Sequence, residues 1–184
     1  SYHGFTYAKE FGKTAFITKA TAQLMRDFGS TPAPISSWIM GMHLESLGVR
    51  MERHCANAQK VAEWLAADPR VSWVSYPGLE NDKYHALAEK YMPNGTCGVI
   101  SFGVPGGREK VSAFLDHLKM VSIATHVADA RSCTLYPAGT THRQLTEEQL
   151  EEAGVGIDLV RLSCGIENAA DIIADLDQAL AAVQ

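Results

Sequence analysis

Apolar and polar positions change period twice along this chain. From Thr14 to Phe28 the apolar residues Ile17, Ala20, Leu24 and Phe28 recur at helical spacing, and Gly29 stands where a helix commonly ends. Ser30-Thr31-Pro32-Ala33-Pro34 then breaks the pattern. One stripe follows, through Leu44, Leu47, Met51, Cys55, Ala58, Val61 and Leu65, as far as Asp68-Pro69. It predicts a single helix over 36–68. At the α-helical rise that helix is about 45 Å long, too long for the interior of one small domain, so it is expected to bridge two packing units. After Pro69 the period shortens. Strands are predicted over 71–76, 97–104, 119–127, 132–136 and 158–163. Helices are predicted over 81–92, 109–118 and 168–183, the last capped by Asn168. Thr146 and Gln149 form a capping-box pair for one further short helix.

Strands and helices that alternate at this spacing predict an α/β sandwich built on one sheet. Residues 1–12 are rich in Gly and aromatics without a clean period, and read as an arm or loop. The first third of the chain is therefore expected to belong with something else, either a missing N-terminal domain or a partner subunit.

The 184 residues are 46% hydrophobic and 20% charged, which suits a globular protein with one sizeable core. A net charge of −5 and the lack of a basic run argue against a nucleic-acid partner. No apolar run approaches the ~20 residues needed to span a bilayer, so no membrane is expected either. No signal peptide is recognised, and Cys55, Cys97, Cys133 and Cys164 lack paired C-x-x-C spacing. The expectation is a cytoplasmic protein with reduced thiols. The seven histidines show no metal-ligand spacing, so no metal is expected.

Three places carry candidate chemistry. In Val160-Arg161-Leu162-Ser163-Cys164-Gly165-Ile166-Glu167 a strand runs through a glycine turn into a helix, and Arg161 alternates with Val160 and Leu162. It therefore points away from the packed face, either to solvent or into a cleft. In a cleft its guanidinium fork would match a carboxylate. The loop Pro137-Ala138-Gly139-Thr140-Thr141-His142 offers hydroxyls that either bind a ligand or cap the next helix. The corner Thr125-His126-Val127-Ala128-Asp129-Ala130-Arg131-Ser132 is either a close-approach site or a plain turn. Other candidates are discounted. Cys164 reads as packing rather than an activated thiol, His43 and His54 as interhelical contacts, and Lys19 as solvated. Gly106-Gly107 lacks phosphate-loop spacing.

Five segments in order carry a resemblance. They are Tyr2-His3-Gly4, Arg50-Met51-Glu52-Arg53-His54-Cys55-Ala56-Asn57-Ala58, Tyr76-Pro77-Gly78-Leu79, Pro137-Ala138-Gly139-Thr140-Thr141-His142 and Leu159 to Glu167. Together they resemble the C-terminal part of the Cys/Met-metabolism family of pyridoxal-phosphate enzymes. The Asp129-Ala130-Arg131-Ser132 corner favours its O-acetylhomoserine sulfhydrylase subgroup over cystathionine γ-synthases and γ-lyases.

The resemblance implies a fold-type I small domain, with a mostly antiparallel sheet, helices packed on one side, and a long linking helix before it. It divides the chain into the end of the cofactor domain (1–35), the linking helix (36–68) and the small domain (69–184). In the family a Lys in a Ser-x-Thr-Lys motif, upstream of Tyr-His-Gly, holds pyridoxal phosphate as a Schiff base. This sequence has no such motif, so the cofactor residues are expected in a missing N-terminal domain and the chain alone is expected to be inactive. A stand-alone small domain acting as a binding or assembly module is the competing expectation.

Carried over by position, Arg161 matches the arginine that pairs with the substrate α-carboxylate. His126 stands in the same pocket, where Ser or Asn is commoner, and Ala128 stands where Gly is usual. Thr141 is carried as a further substrate contact. The implied reaction is γ-replacement on an amino-acid substrate, O-acetyl-L-homoserine with sulfide or a thiol, by a homo-oligomer, which the resemblance implies is a tetramer.

Overall fold

Residues 3–183 are described by a computed structural model, and the chain divides between Ser46 and Leu47 into two units. The first unit is helical, with α1 (Tyr7–Phe11), α2 (Ala15–Lys19), α3 (Arg26–Phe28) and α4 (Pro34–Glu45). The helix expected over 14–28 is present, but α2 passes through a π-helical stretch, Ala20–Met25, before α3. Gly29 ends it in the left-handed region at φ +65°, as a C′ glycine does. The arm expected over 1–12 instead contains α1. Its Tyr7 is buried, with ring centroids 4.9 Å from Phe5 and 5.9 Å from Phe11. Clustering of three rings orders a segment whose period gave no signal, while Ser1 and Tyr2 lie outside the described residues. In α4 no residue is buried, and Ile35, Trp38, Met40 and Leu44 are exposed.

The single helix expected over 36–68 is two. α4 ends at Glu45, and α5 (Leu47–Ala67) begins the second unit. Ser46 between them has φ −99° and ψ 1°, and its hydroxyl lies 3.4 Å from the His43 carbonyl. A serine that bonds back to a preceding carbonyl competes with the helical ladder. The apolar stripe passes through this position unchanged, which is why spacing did not show the break.

The second unit carries five strands: β1 (Val74–Ser75), β2 (Val99–Gly103), β3 (Ser122–Ile123), β4 (Cys133–Leu135) and β5 (Leu159–Ser163). Their order is β1-β2-β5-β4-β3, and every pairing is antiparallel except β3 with β4. Four more helices complete it: α6 (His85–Tyr91), α7 (Gly107–Asp116), α8 (Glu147–Glu152) and α9 (Ala169–Ala181). The α/β class and the mostly antiparallel sheet are as expected.

Alternation along the central strands decides the two faces. Ile100 and Phe102 of β2 and Val160 and Leu162 of β5 are buried in one cluster with Val61 and Leu65 of α5, Val111 and Phe114 of α7, and Ile172 and Leu176 of α9. Phe102 meets Phe114 edge to face, with centroids 6.1 Å apart. Burying each such side chain is worth about 1.5–3 kcal/mol, so this face holds the unit together. The other face carries Ser101, Arg161 and Leu135 side by side in register.

Both anticipated caps are present. Thr146 and Gln149 close the reciprocal capping box of α8, and Asn168 accepts from the Ala170 N–H at 3.1 Å. Several elements are shorter than expected, among them the strand over 71–76, which keeps only Val74–Ser75, and two of the shortenings have a carboxylate behind them. The strand expected over 119–127 reduces to β3 because Asp175 of α9 takes the N–H groups of Lys119, Met120 and Val121 at 2.8–2.9 Å. The helix expected over 81–92 starts only at His85, because Asp82 accepts from the N–H groups of Tyr76 and Tyr84 and fixes a turn.

After β3 the chain turns at Ala128, which has φ +58°. This left-handed conformation costs an L-residue roughly 1–2 kcal/mol.

Asp175 is nearly buried. Burial alone would push its carboxyl up, but the three backbone N–H donors and Gln178 outweigh it and hold the pKa below the ordinary carboxylate value. Asp175→Asn is expected to lower unfolding stability by about 2–3 kcal/mol near neutral pH, since charge-assisted bonds are lost and an amide N–H₂ faces donors. A depressed folded pKa contributes stability above the unfolded value of about 3.9, and that stability is lost as pH falls through the folded value. Urea unfolding should therefore show the gap between parent and variant narrowing below about pH 4. A gap that stays constant with pH would contradict this account. Ala128→Gly should raise stability by about 0.5–1 kcal/mol, because the relief of left-handed strain exceeds the added unfolded-state entropy. A lower urea midpoint for that variant would contradict it.

Candidate functional site

Arg161 lies in the middle of β5, between Ser101 of β2 and Leu135 of β4. Strand alternation sends Val160 and Leu162 into the core and leaves Arg161 half-buried on the opposite face. One terminal nitrogen, Nη2, donates to the carbonyls of Thr125 and His126 at 3.3 and 3.4 Å, both long bonds. The Nε–H is buried and has no partner among the described residues. Leaving a charged donor buried and unmatched costs about 1–3 kcal/mol, which marks Arg161 as the candidate binding group of this face.

The corner at 125–132 sits beside it. His126 is exposed, and its contribution to Arg161 is the backbone carbonyl. The Ala128 N–H donates to Ser163 Oγ at 3.1 Å, so Ser163, two residues beyond Arg161 on β5, holds the corner in place. Asp129 accepts from the Arg131 N–H at 3.0 Å. That bond, followed by the nearby Arg131 and His126 charges, holds its carboxyl below the usual range. The corner is thus more than a plain turn: it supplies two carbonyls that orient the guanidinium.

The loop at 137–142 is sewn to itself. Thr140 Oγ donates to the Tyr136 carbonyl at 2.6 Å, and Thr141 Oγ lies 2.9 Å from His142 Nδ1. Thr141 is exposed, and no hydrogen bond joins it to Arg161 or His126 among the described residues. The structure therefore brings Arg161 and the His126 backbone together, and leaves Thr141 as a separate surface hydroxyl.

Four polar residues important to this region were missed or misassigned by sequence reasoning. His54, expected as an interhelical contact, is buried, and its Nδ1 donates to the Cys164 carbonyl at 2.6 Å. Asn57, one turn on, donates to the carbonyls of Gly165 and Glu167 at 2.9 and 2.7 Å. Glu167 and Ser132 join the turn to the corner: the Ser132 N–H donates to Glu167 Oε1 at 2.6 Å, and its hydroxyl to Oε2 at 3.0 Å. The only sequence signal was two polar positions, 54 and 57, beside an apolar helical stripe. Cys164 is fully buried and its thiol is pushed up to about 12, so it packs and does not react.

A cleft of about 410 Å³ opens elsewhere, lined by Cys55, Gln59, Tyr76, His85 and Met92 among others. Its tyrosine and glutamine are already committed. The Tyr76 hydroxyl donates to the Cys97 carbonyl and accepts from Thr96, while Gln59 donates to Glu63 and to the Gly78 carbonyl. Arg161 is not in its lining, and the unmatched donor next to the 125–132 corner outweighs cleft size as a mark of the site. Among the described residues, no group of three or more His, Cys, Asp or Glu could hold a metal, and no helix is long and apolar enough to cross a membrane.

Known proteins share this sequence and fold. An O-acetyl-L-homoserine sulfhydrylase of Leptospira meyeri is 44% identical over 189 residues, covering 98% of this chain and 43% of the relative. A homocysteine synthase of Schizosaccharomyces pombe is 44% identical, covering 97% of this chain and 42% of its own length. A crystal structure described as an O-acetylhomoserine (thiol)-lyase of Campylobacter jejuni, with a pyridoxyl-lysine phosphate, superposes with a TM-score of 0.85 at 37% identity. It covers 98% of this chain, which spans 42% of that one. The chain thus spans less than half the length of the relatives it matches. Residues 11–181 match the Cys/Met metabolism PLP-dependent enzyme family, and the chain belongs to it.

Proposed function

We propose that this chain is the C-terminal portion of an O-acetylhomoserine sulfhydrylase, and that Arg161 binds the α-carboxylate of the amino-acid substrate. The observation that carries the reading is the half-buried guanidinium on the open face of β5, held by two long bonds through Nη2 and with an Nε–H that has no partner among the described residues. A substrate carboxylate would match the planar fork of such a guanidinium in the geometry it favours. The relatives named above support the reaction class: O-acetyl-L-homoserine and sulfide, or a thiol, give homocysteine or methionine with loss of acetate. Pyridoxal phosphate bound in the full-length protein supplies the electron sink for that chemistry. The residues of this chain bind and orient. Arg161 fixes the carboxylate, the Thr125 and His126 carbonyls fix Arg161, and the His126 side chain is the proposed further hydrogen-bonding group at that corner. No proton transfer is assigned to them.

In this reading, 1–35 closes the cofactor domain, 36–68 is the linking segment interrupted at Ser46, and 69–184 is the small domain. The exposed apolar residues of α4 suit burial in a larger protein, and a cytoplasmic homo-tetramer is the assembly proposed.

Arg161→Lys in the full-length protein keeps the charge and loses the fork. At about 1.5–3 kcal/mol for hydrogen bonds to a charged group, kcat/KM for O-acetyl-L-homoserine should fall roughly 10- to 100-fold. Arg161→Ala should lose more, with pyridoxal-phosphate content unchanged. Steady-state kinetics with cofactor absorbance checks both. Near-normal kcat/KM in Arg161→Ala would sink the carboxylate assignment, and loss of cofactor would assign Arg161 a structural role instead.

A further inference from the structure

Four hydrogen bonds strap the 130–132 segment to the turn after β5. Two run from Ser132 to the two oxygens of the Glu167 carboxylate. In the third, the Gly165 N–H donates to Ser132 Oγ at 2.9 Å, and in the fourth the Ile166 N–H donates to the Ala130 carbonyl at 3.0 Å. The two backbones approach so closely that a Cβ on Gly165 would lie 2.5 Å from the Ala130 carbonyl oxygen and 2.3 Å from Glu167 Oε2. The turn itself is fixed from behind by Asn57, which donates to the Gly165 and Glu167 carbonyls.

The other end of the same corner is held by the sheet, where the Ala124 N–H donates to the Thr134 carbonyl at 3.0 Å. Residues 125–128 between are exposed, tied down by the Ala128 N–H to Ser163 Oγ and by the two long bonds from Arg161. The carbonyls that orient Arg161 thus belong to a loop anchored at Ala124 and at Ser132, and of these two anchors the one at Ser132 is made by side chains. We infer that Glu167 is a positioning residue. Through Ser132 its carboxylate sets the 125–132 corner, and through that corner it sets the direction of the Arg161 guanidinium. No hydrogen bond joins Glu167 to Arg161 itself. The inference rests on the reading that Arg161 binds the substrate carboxylate.

Glu167→Gln in the full-length protein keeps the side-chain size but turns an amide N–H₂ toward a donor. KM for O-acetyl-L-homoserine should rise about 10-fold while kcat changes less than about threefold, because orientation of the bound carboxylate is disturbed and the chemistry is not. Glu167→Asp should recover part of the lost affinity. Ser132→Ala, which removes the hydroxyl's bonds to Glu167 and to the Gly165 N–H and leaves the Ser132 N–H bond, should raise KM about threefold, and it decides the matter if Glu167→Gln does not fold. In an Arg161→Ala background Glu167→Gln should add no further penalty. An unchanged KM with a lowered Tm, or an equal penalty in both backgrounds, would overturn the positioning role. Arg161→Lys measured in parallel separates the two ideas. If it leaves KM unchanged, the carboxylate reading fails; if it raises KM while Glu167→Gln and Ser132→Ala do not, the positioning role alone fails.

Discussion

Two buried side chains on one helix, His54 and Asn57, hold the turn between β5 and α9 by its carbonyls. A turn of this kind leaves backbone acceptors facing the interior, and each one unmatched would cost as much as a core mutation. By donating to the carbonyls of Cys164, Gly165 and Glu167, α5 satisfies them without water. That allows the strand to end at the buried residues Cys164 and Gly165, before the chain comes to the surface at Asn168 to begin the last helix. The position of the sheet relative to α5, the direction of α9 and the placement of the Glu167 side chain all follow from this contact. His54 itself remains half-matched, because its Nε2 is buried and has no partner among the described residues.

The same unit shows how one sheet separates stability from binding. Period-two alternation commits Val160 and Leu162 to the helical layer and Arg161 to the open face. The apolar side needs only volume and shape, supplied by α5, α7 and α9. The open side needs direction, and direction comes from backbone carbonyls at a corner whose own conformation is strained at Ala128. Strain of this sort persists only where surrounding bonds over-determine it, here Ser163 on one side and the Ser132–Glu167 contact on the other.

Much of this architecture was legible from spacing. The caps at Thr146 and Asn168, the glycine end at Gly29, the α/β class and the outward side of Arg161 all follow from local rules that tertiary contacts leave intact. What spacing missed has a common cause: side-chain carboxylates and hydroxyls took backbone groups away from regular ladders. Asp175 removed three donors from the strand expected over 119–127, Asp82 delayed a helix, and the Ser46 hydroxyl sits against the carbonyl ladder where the long helix breaks. The donors Asp175 takes lie 54–56 positions away, and Asp82 and Ser46 act through local side-chain bonds that leave the apolar period unchanged, so no periodicity announces any of them. The site was legible to the same extent. Arg161 and the 125–132 corner were visible as candidates, whereas the Glu167–Ser132 link spans 35 positions and needed coordinates.

The bare helix Pro34–Glu45 bears on how the polypeptide can be handled. Trp38, Met40 and Leu44 project from it without cover, and no charge is present before Glu45 to interrupt the run that starts at Ala33. Expressed by itself, such a segment recruits holdase chaperones, adsorbs to detergents and hydrophobic resins, and drives precipitation as concentration rises. A shorter clone beginning at Leu47 would retain every strand and the whole Arg161 face while shedding that liability. It is the more tractable material for crystallisation or isotope labelling.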